Sequence, residues 1–495
     1  MDINLSEAKK SYQQIIKTTS LFGSVQLFSI LVSIIRNMFI ANFIGPIGMG
    51  IAALLNSTLN IISGFSGLGL EMSGVKHISE SYDENNSTSV SKQVAVVRRI
   101  ALITGIIGAI IAMIFSKWLS VLTFGNGDYT FSFILIAITL LFKQLTSAEN
   151  VVLQGLRKLK DLAKASFYGN LLGLLFSIPI YYFYKIDSIV PTIIITSFFS
   201  MVLAFVFARK NKFERIKIIN NELVTDGKSI IKLGLALTFS GLITLIVAHL
   251  IQLYLNFESG IEVVGFYNAG FTLLNSYVGI LFVAMSTDYY PRLSAISKDN
   301  FKSNEVVLQQ IYIGLLIMTP IIILFFALSD EIVSILFSSK FNAIVMMVSV
   351  GIFGMFFKVV SFSIGYMVLA KADSKLFIKT SIGFNLLYLI ISIIGYHYFN
   401  LLGLGIAFMV QYIFHLIILS IIVNKRYNFK FSNEVVILFV ICLVLCIATF
   451  LVQFLDDGII KIVLFIFLIL FSCLFSLKSI DDKIDIKAFL QQKIK

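Results

Sequence analysis

Charge is scarce in this chain. Only 13% of its 495 residues are charged, 58% are hydrophobic, and the mean hydropathy is +0.93. A soluble domain carries about 25% charged residues, so this composition excludes a water-soluble globule and reads as a polytopic membrane protein. Cysteine is nearly absent. Cys442, Cys446 and Cys473 all lie in late hydrophobic stretches, which excludes a disulfide framework and any zinc-ligand spacing. The sequence contains no GxxxxGK[ST], so a P-loop ATPase is excluded. No small-residue cleavage site follows the first apolar run, which is expected to be a retained span and not a signal peptide. No polar segment between hydrophobic stretches reaches the ~50 residues of a soluble domain.

What the chain has is long apolar runs. A span needs about 20 mostly apolar residues. The runs predict an all-α fold of fourteen transmembrane helices, at 19–43, 48–70, 99–118, 130–153, 166–184, 188–208, 230–255, 263–286, 307–328, 342–370, 376–396, 401–423, 434–454 and 459–477. Of 39 Lys and Arg, 32 fall on the side that carries both termini. The opposite loops hold four: Lys117, Lys185, Lys340 and Lys461. Positive charge stays cytoplasmic, so both termini are expected there. The net charge of +12 is a topology signal, and no nucleic-acid partner is expected.

The three remaining cations are Arg36, Lys143 and Lys358, inside spans 1, 4 and 10. A charge at bilayer depth costs roughly 2.5–3.5 kcal/mol on insertion scales, so it usually faces a wet cavity. Arg36 lies about 17 residues into its span, or roughly 26 Å of rise. Three cations with few acids nearby suggest that the cavity receives an anion. No metal cluster or cofactor motif accompanies them, and coupling to H⁺ or Na⁺ stays open.

A shift of 215 residues superposes the chain on itself. Gly50 meets Gly265, Asn60 meets Asn275, Lys143 meets Lys358, and Ser166, Asn170, Ser177 and Tyr181 meet Ser381, Asn385, Ser392 and Tyr396. The repeat holds six spans, so its halves share orientation, as in parallel-repeat transporters with a midplane site at the repeat interface. This divides the chain into a lobe at 1–210, a lobe at 211–430, and two extra spans with a tail at 431–495.

Polar residues recur at helical spacing, which gathers each set on one helix face. Span 1 has Gln26, Ser29, Ser33 and Arg36; span 2 has Asn56, Asn60, Ser63 and Glu71; span 4 has Thr139, Lys143, Ser147, Asn150 and Gln154. Spans 7 and 8 carry Thr238, His249, Gln252 and Asn256, then Asn268, Thr272 and Asn275. Spans 10 and 11 carry Lys358, Ser361, Ser381, Asn385 and Ser392. Such groups also serve as glue between helices, a reading that suits the hydroxyls. The stripes with a cation read as a lumen, with Asn56, Asn60, Asn150, Gln154, Asn268, Asn275 and Asn385 as its polar lining. His249 and His415 read as packed residues. Glu149 is expected near the cytoplasmic end, beside the basic loop after span 4 or a lysine. Glu71 is expected at the membrane surface, Asp456–Asp457 in a solvated turn, and Trp118 at the interface.

The stretches RNMFIANFIGPIGMG (36–50), FGNGDY (124–129), QGLRKLKDLAKAS (154–166), a segment ending in STDYYPRLS (286–294), and SSKF, FFKVVSFSIGY and MVLAKA within 336–372 follow one another in a characteristic order. In these the chain resembles the Wzx-type flippases of the MOP exporter superfamily, which move undecaprenyl-pyrophosphate-linked oligosaccharides in bacterial surface-polysaccharide assembly. The resemblance implies a flippase of the bacterial inner membrane that works by alternating access, without enzymatic activity. Its intramembrane basic positions fall on Arg36, Lys143 and Lys358, and its partners would be a polysaccharide polymerase and a chain-length regulator. Two other functions compete. A cation-coupled multidrug antiporter of the same superfamily usually needs a buried acid in the first lobe, where span 1 has Arg36 and no carboxylate. A membrane polymerase or glycosyltransferase typically needs a sizeable outer loop, and the outer loops here are short.

Overall fold

Inside a bilayer no water satisfies the backbone, and a helix closes its own hydrogen bonds within one segment. The computed structural model of the protein describes residues 2–81, 87–210 and 220–484. Side chains are described from Phe28 to Asp482, except at 82–87, 211–227, 229, 232–233, 235–237, 280–281 and 283–288. Among the described residues every regular element is helical. Gln26 and Ser286–Asp288, both singled out in the sequence, lie outside the described side chains.

The first compact unit is Met1–Asn268. It contains α1 (Asp2–Ser66), α2 (Leu70–Glu80), α3 (Ser87–Ile114), α4 (Ser116–Phe124), α5 (Thr130–Ile136), α6 (Ile138–Gly155), α7 (Leu159–Tyr184), α8 (Ile189–Ala208) and α9 (Asn220–Ser259), and α10 (Ile261–Thr272) begins within it. The second unit is Ala269–Lys495. It holds a π-turn at Leu273–Val278, then α11 (Ile280–Ala295), α12 (Asn300–Ala327), α13 (Ser329–Phe337), α14 (Val345–Ala370), α15 (Ser374–Tyr427), α16 (Asn433–Val452) and α17 (Ile459–Ile484). The sequence reading put 230–255 in the second lobe. In the structure α9 groups with the first unit, because it packs along α1 and α2.

Ten described segments are long and apolar enough to cross a membrane. Three of them, Phe28–Ser66, Leu159–Ala208 and Ser374–Tyr427, have 39, 50 and 54 residues. Even the shortest of these would rise about 58 Å as one straight helix, nearly twice the ~30 Å hydrocarbon core. Each is broken where the sequence expects a loop. Gly45 takes φ 72° inside α1, Lys185 opens a 3₁₀ turn between α7 and α8, and Asn400 takes φ 50° inside α15. Glycine and asparagine are the residues that enter the left-handed region most readily. The expected span at 263–286 is not among the ten; it falls on α10 and α11, which the π-turn separates.

Backbones approach closely where the repeat places glycine. A Cβ added at Gly50 would run into the carbonyl oxygen of Ile261, and one added at Gly265 would run into that of Pro46. Pro46 and Ile261 are themselves 215 apart, so the contact is reciprocal: each copy of the motif rests on the other. The FGNGDY stretch forms a tight loop. Gly125 turns it at φ +78°, Ser120 Oγ donates to the Asn126 carbonyl at 2.7 Å, and Tyr129 stacks on Phe124 with ring centroids 3.8 Å apart.

Candidate functional site

Helices α1, α2 and α6–α9 of the first unit surround a cavity of about 850 Å³. Arg36 and Lys143 both line it. Lys143 donates to Asn60 Oδ1 at 3.0 Å, which leaves two ammonium protons for another acceptor. Arg36 Nε is buried and has no hydrogen-bond partner among the described residues. Asn56 spends one amide proton on the Ala52 carbonyl at 2.8 Å, and its side-chain carbonyl is left to accept. Gln252, on α9, also faces the cavity, with Oε1 buried and unpartnered. A buried polar atom without a partner costs about 1–3 kcal/mol. The first unit therefore holds a polar, largely cationic space whose hydrogen-bonding capacity is incompletely used.

Of the residues that the sequence selected as site candidates, Arg36, Lys143, Asn56, Asn60, Asn150 and Asn268 line this cavity. Gln154 is exposed and outside it, one turn beyond Asn150. Asn385 sits in the second unit and bonds its own helix, through Nδ2 to the Ser381 carbonyl at 2.8 Å. Lys358 and Asn275 are also in the second unit, and Lys358 donates to Asn275 Oδ1 at 3.4 Å. That bond is the 215-residue image of Lys143 to Asn60. The repeat visible in the sequence thus builds the same lysine–asparagine contact twice.

The surroundings of the two lysines differ. Lys358 lies over the rings of Phe282 and Tyr412, at 5.0 and 5.2 Å from their centroids. Subtracting 215 from Phe282 and Tyr412 gives Gly67 and Ser197, both of which line the first unit's cavity. Three more lining residues, Asn56, Ser147 and Ser200, correspond to Phe271, Phe362 and His415. The second unit fills with aromatic rings the positions where the first has small or polar groups. Arg36 corresponds to Ile251, so the guanidinium has no counterpart.

The structure corrects one reading of the sequence and adds to it at two other places. Glu71 lines the cavity from the first turn of α2 and gives it a carboxylate. The chain leaves α1 through Gly67–Gly69, a turn in which Leu68 and Gly69 take φ 49° and 70°. Glu149 meets neither a lysine nor the loop after span 4. It is fully buried and takes a bidentate ion pair from Arg98 of α3, at 2.8 and 2.6 Å. Helix α8 also supplies hydroxyls that sequence inspection passed over. Thr192, Thr196 and Ser200 recur every four residues and all line the cavity; the spacing rule used for the other spans would have found them. His249 packs as expected, buried against Ser57, and His415 packs on Phe384 at 4.2 Å. Asp457 is exposed, as expected, and pairs only with Lys461.

A family model described as "Polysaccharide biosynthesis protein" matches residues 39–346. No curated protein matches the sequence. Among solved structures the chain is similar to the lipid II flippase MurJ in an inward closed conformation, with a TM-score of 0.68 at 16% identity, covering 93% of this chain and 99% of that one. It is also similar to an inward-facing multidrug resistance MATE family transporter of the MOP superfamily (TM-score 0.62, 14% identity, 82% of this chain and 98% of that one). A third likeness is to a MOP superfamily transporter from Pyrococcus furiosus (TM-score 0.55, 14% identity, 82% and 96%). At these identities the likeness establishes the fold, and it is the polytopic helical fold that the spans and the repeat implied.

Proposed function

Since the chain belongs to the polysaccharide biosynthesis protein family, we propose that it flips a lipid-linked oligosaccharide, carried on undecaprenyl pyrophosphate, from the cytoplasmic to the periplasmic leaflet. The single observation that carries this reading is that Arg36 and Lys143 line one polar cavity while Arg36 Nε has no hydrogen-bond partner among the described residues. The prenyl tail is at home in lipid, and only the head group meets a large barrier. A pyrophosphate gains charge-assisted hydrogen bonds from a guanidinium and an ammonium, and the Asn, Gln, Ser and Thr groups suit sugar hydroxyls. The likeness to the MurJ flippase supports a lipid-borne substrate. In this reading the protein sits in the bacterial inner membrane with both termini cytoplasmic, works by alternating access, and supplies a polymerase and chain-length regulator with their substrate. No covalent step is needed.

The antiporter reading has one observation in its favour, the Glu71 carboxylate in the cavity, together with the likeness to multidrug transporters. Two cations beside that one acid argue for an anionic cargo. The test is reconstitution in liposomes with a short-chain prenyl-pyrophosphoryl oligosaccharide, scoring its arrival in the opposite leaflet. Flipping that disappears in Arg36→Ala supports the proposal. Export of a cationic dye in place of the lipid-linked glycan would replace it with the antiporter.

A further inference from the structure

His249 lies on α9, buried at 7% exposure, where the cavity wall passes through Ser57. Its Nδ1 is 2.8 Å from Ser57 Oγ, and the same Oγ is 3.0 Å from the Leu54 carbonyl. A hydroxyl has one proton and two lone pairs. When Nδ1 is unprotonated, Ser57 donates to it. When Nδ1 carries a proton, the ring donates to Ser57, and the hydroxyl turns to donate to Leu54. At Nδ1, therefore, both protonation states find a partner in one arrangement of heavy atoms. A histidine that merely fills space has no use for the second state.

The charges around it decide what the second state does. Helix α9 packs against α1, α2, α3 and α4. Among described side chains, α1 offers Arg36, and α2 offers Glu71, Lys76, His77 and Glu80. Helix α3 offers Lys92, Arg98 and Arg99; α4 offers Lys117; α9 itself has Lys228, Tyr254 and Glu258. Of these only Arg36 and Glu71 line the cavity that Ser57 borders, joined from α6 by Lys143 and from α7 by Tyr181. Among the described side chains the charged lining thus sums to +1. A pyrophosphate diester brings −2. One proton on His249 makes the loaded cavity neutral, whereas in the empty cavity that proton would add to an excess of positive charge.

We infer that His249 is a proton site linked to the cavity, taking up a proton when a lipid pyrophosphate diester binds. The inference rests on the substrate reading above. It implies reciprocity: the anion raises the affinity for the proton, and the proton raises the affinity for the anion by the same factor.

The probe is a short-chain prenyl-pyrophosphoryl monosaccharide. As a diester it lacks the phosphate proton that titrates near pH 6 in a monoester. Its binding to the detergent-solubilised protein is measured from about pH 8 down to about pH 4, a window that extends below the usual histidine range. The wild type is compared with His249→Gln, which keeps hydrogen-bonding groups and cannot take the proton. In parallel, nitrogen-labelled histidine spectra of the wild type, with four histidines to resolve, follow His249 with and without the probe. The wild type should bind about tenfold tighter at the acidic end than at the alkaline end, a factor typical of coupled sites. His249→Gln should be flat, and adding the probe should move the His249 ring-nitrogen signals toward those of the protonated ring. Binding with the same pH profile in both proteins, together with an unmoved His249 titration, overturns the proton site and leaves the lipid-pyrophosphate reading standing. Absence of binding at every pH overturns both. Should the variant fold poorly, the wild-type spectra decide alone.

Discussion

Lys143 offers the sharpest test of the cavity. The ammonium sits 3.0 Å from Asn60 Oδ1 and keeps two donors free. A cation and an anion about 4 Å apart interact by about 4 kcal/mol at an effective dielectric of 20. Bringing the anion in strips water from both groups, so the net worth is that of a hydrogen bond to a charged group, about 1.5–3 kcal/mol. Lys143→Gln should therefore weaken binding of a prenyl-pyrophosphoryl sugar by roughly 12- to 140-fold, at about 1.4 kcal/mol per tenfold. Lys143→Arg preserves the charge and should stay within about tenfold of the wild type, since only the donor geometry changes. Lys143→Glu should abolish flipping, because a second acid joins Glu71 in the cavity. Lys358→Gln serves as the internal control. Its ammonium lies over the rings of Phe282 and Tyr412, so it should shift affinity by less than about threefold while losing part of a cation–π stabilisation worth about 0.5–2 kcal/mol. Binding is read by calorimetry on purified protein and flipping in liposomes, with thermal melts to certify folding. Normal flipping by Lys143→Glu would refute the anion cavity.

Four further outcomes are expected. Glu149→Ala removes the carboxylate that Arg98 pairs with; because Arg98 is 32% exposed, the loss should fall near or below the lower end of the 3–5 kcal/mol range for buried pairs, about 2–3 kcal/mol, and the Arg98→Leu/Glu149→Leu pair should recover most of it in thermal melts. Gly265→Val forces a side chain into the Pro46 carbonyl and should sharply reduce folded yield in size-exclusion profiles; a wild-type profile would contradict the contact. Asp373, in the α14–α15 turn, is pushed up by desolvation, but hydrogen bonds from Tyr427 and the Leu376 amide and the charge of Arg426 outweigh this and hold its pKa below the ordinary value. Its stabilisation is present above the unfolded carboxylate pKa and fades as pH falls through the lowered one, so Asp373→Asn should lower the melting temperature at pH 7 and do so progressively less as the pH falls below the ordinary carboxylate value; an equal loss at every pH would rule out the ionised carboxylate. A fluorescent protein fused to the C-terminus should glow, and alkaline phosphatase fused after Gly127 should be active, if 32 basic residues mark the cytoplasmic side.

Much of this was legible in the chain itself, for physical reasons. Hydropathy finds helices in a bilayer because every span must be apolar and must close its own hydrogen bonds, and so the breaks at Gly45 and Asn400 fell where loops were expected. The 215-residue shift anticipated a geometric fact, the paired bonds Lys143–Asn60 and Lys358–Asn275. What stayed hidden depends on contacts between distant segments. Nothing local tells that Glu149 would find Arg98, 51 residues away, because Glu149 and its partner share no helix face. That Glu71 lines the cavity was not legible, because a count of apolar residues ends the span at its edge and says nothing of which residues border a cavity. The difference between the two lysines escaped because the repeat was read for what matches. The informative positions were those that do not match, where Ser197 and Gly67 face Tyr412 and Phe282.

The reciprocal contact at Gly50 and Gly265 bears on how such a chain can change over generations. A duplicated segment ordinarily leaves one copy free to drift while the other preserves the original role. Here the two copies touch each other at equivalent points, Gly50 against Ile261 and Gly265 against Pro46. A side chain gained by either glycine collides with the other copy's backbone, which no substitution there can remove. Neither position is spare, and the duplication has turned one steric requirement into two that must be met together. Such a contact is self-complementary in the manner of an isologous dimer interface. The chain carries inside itself the constraint that a pair of identical subunits would impose on one another.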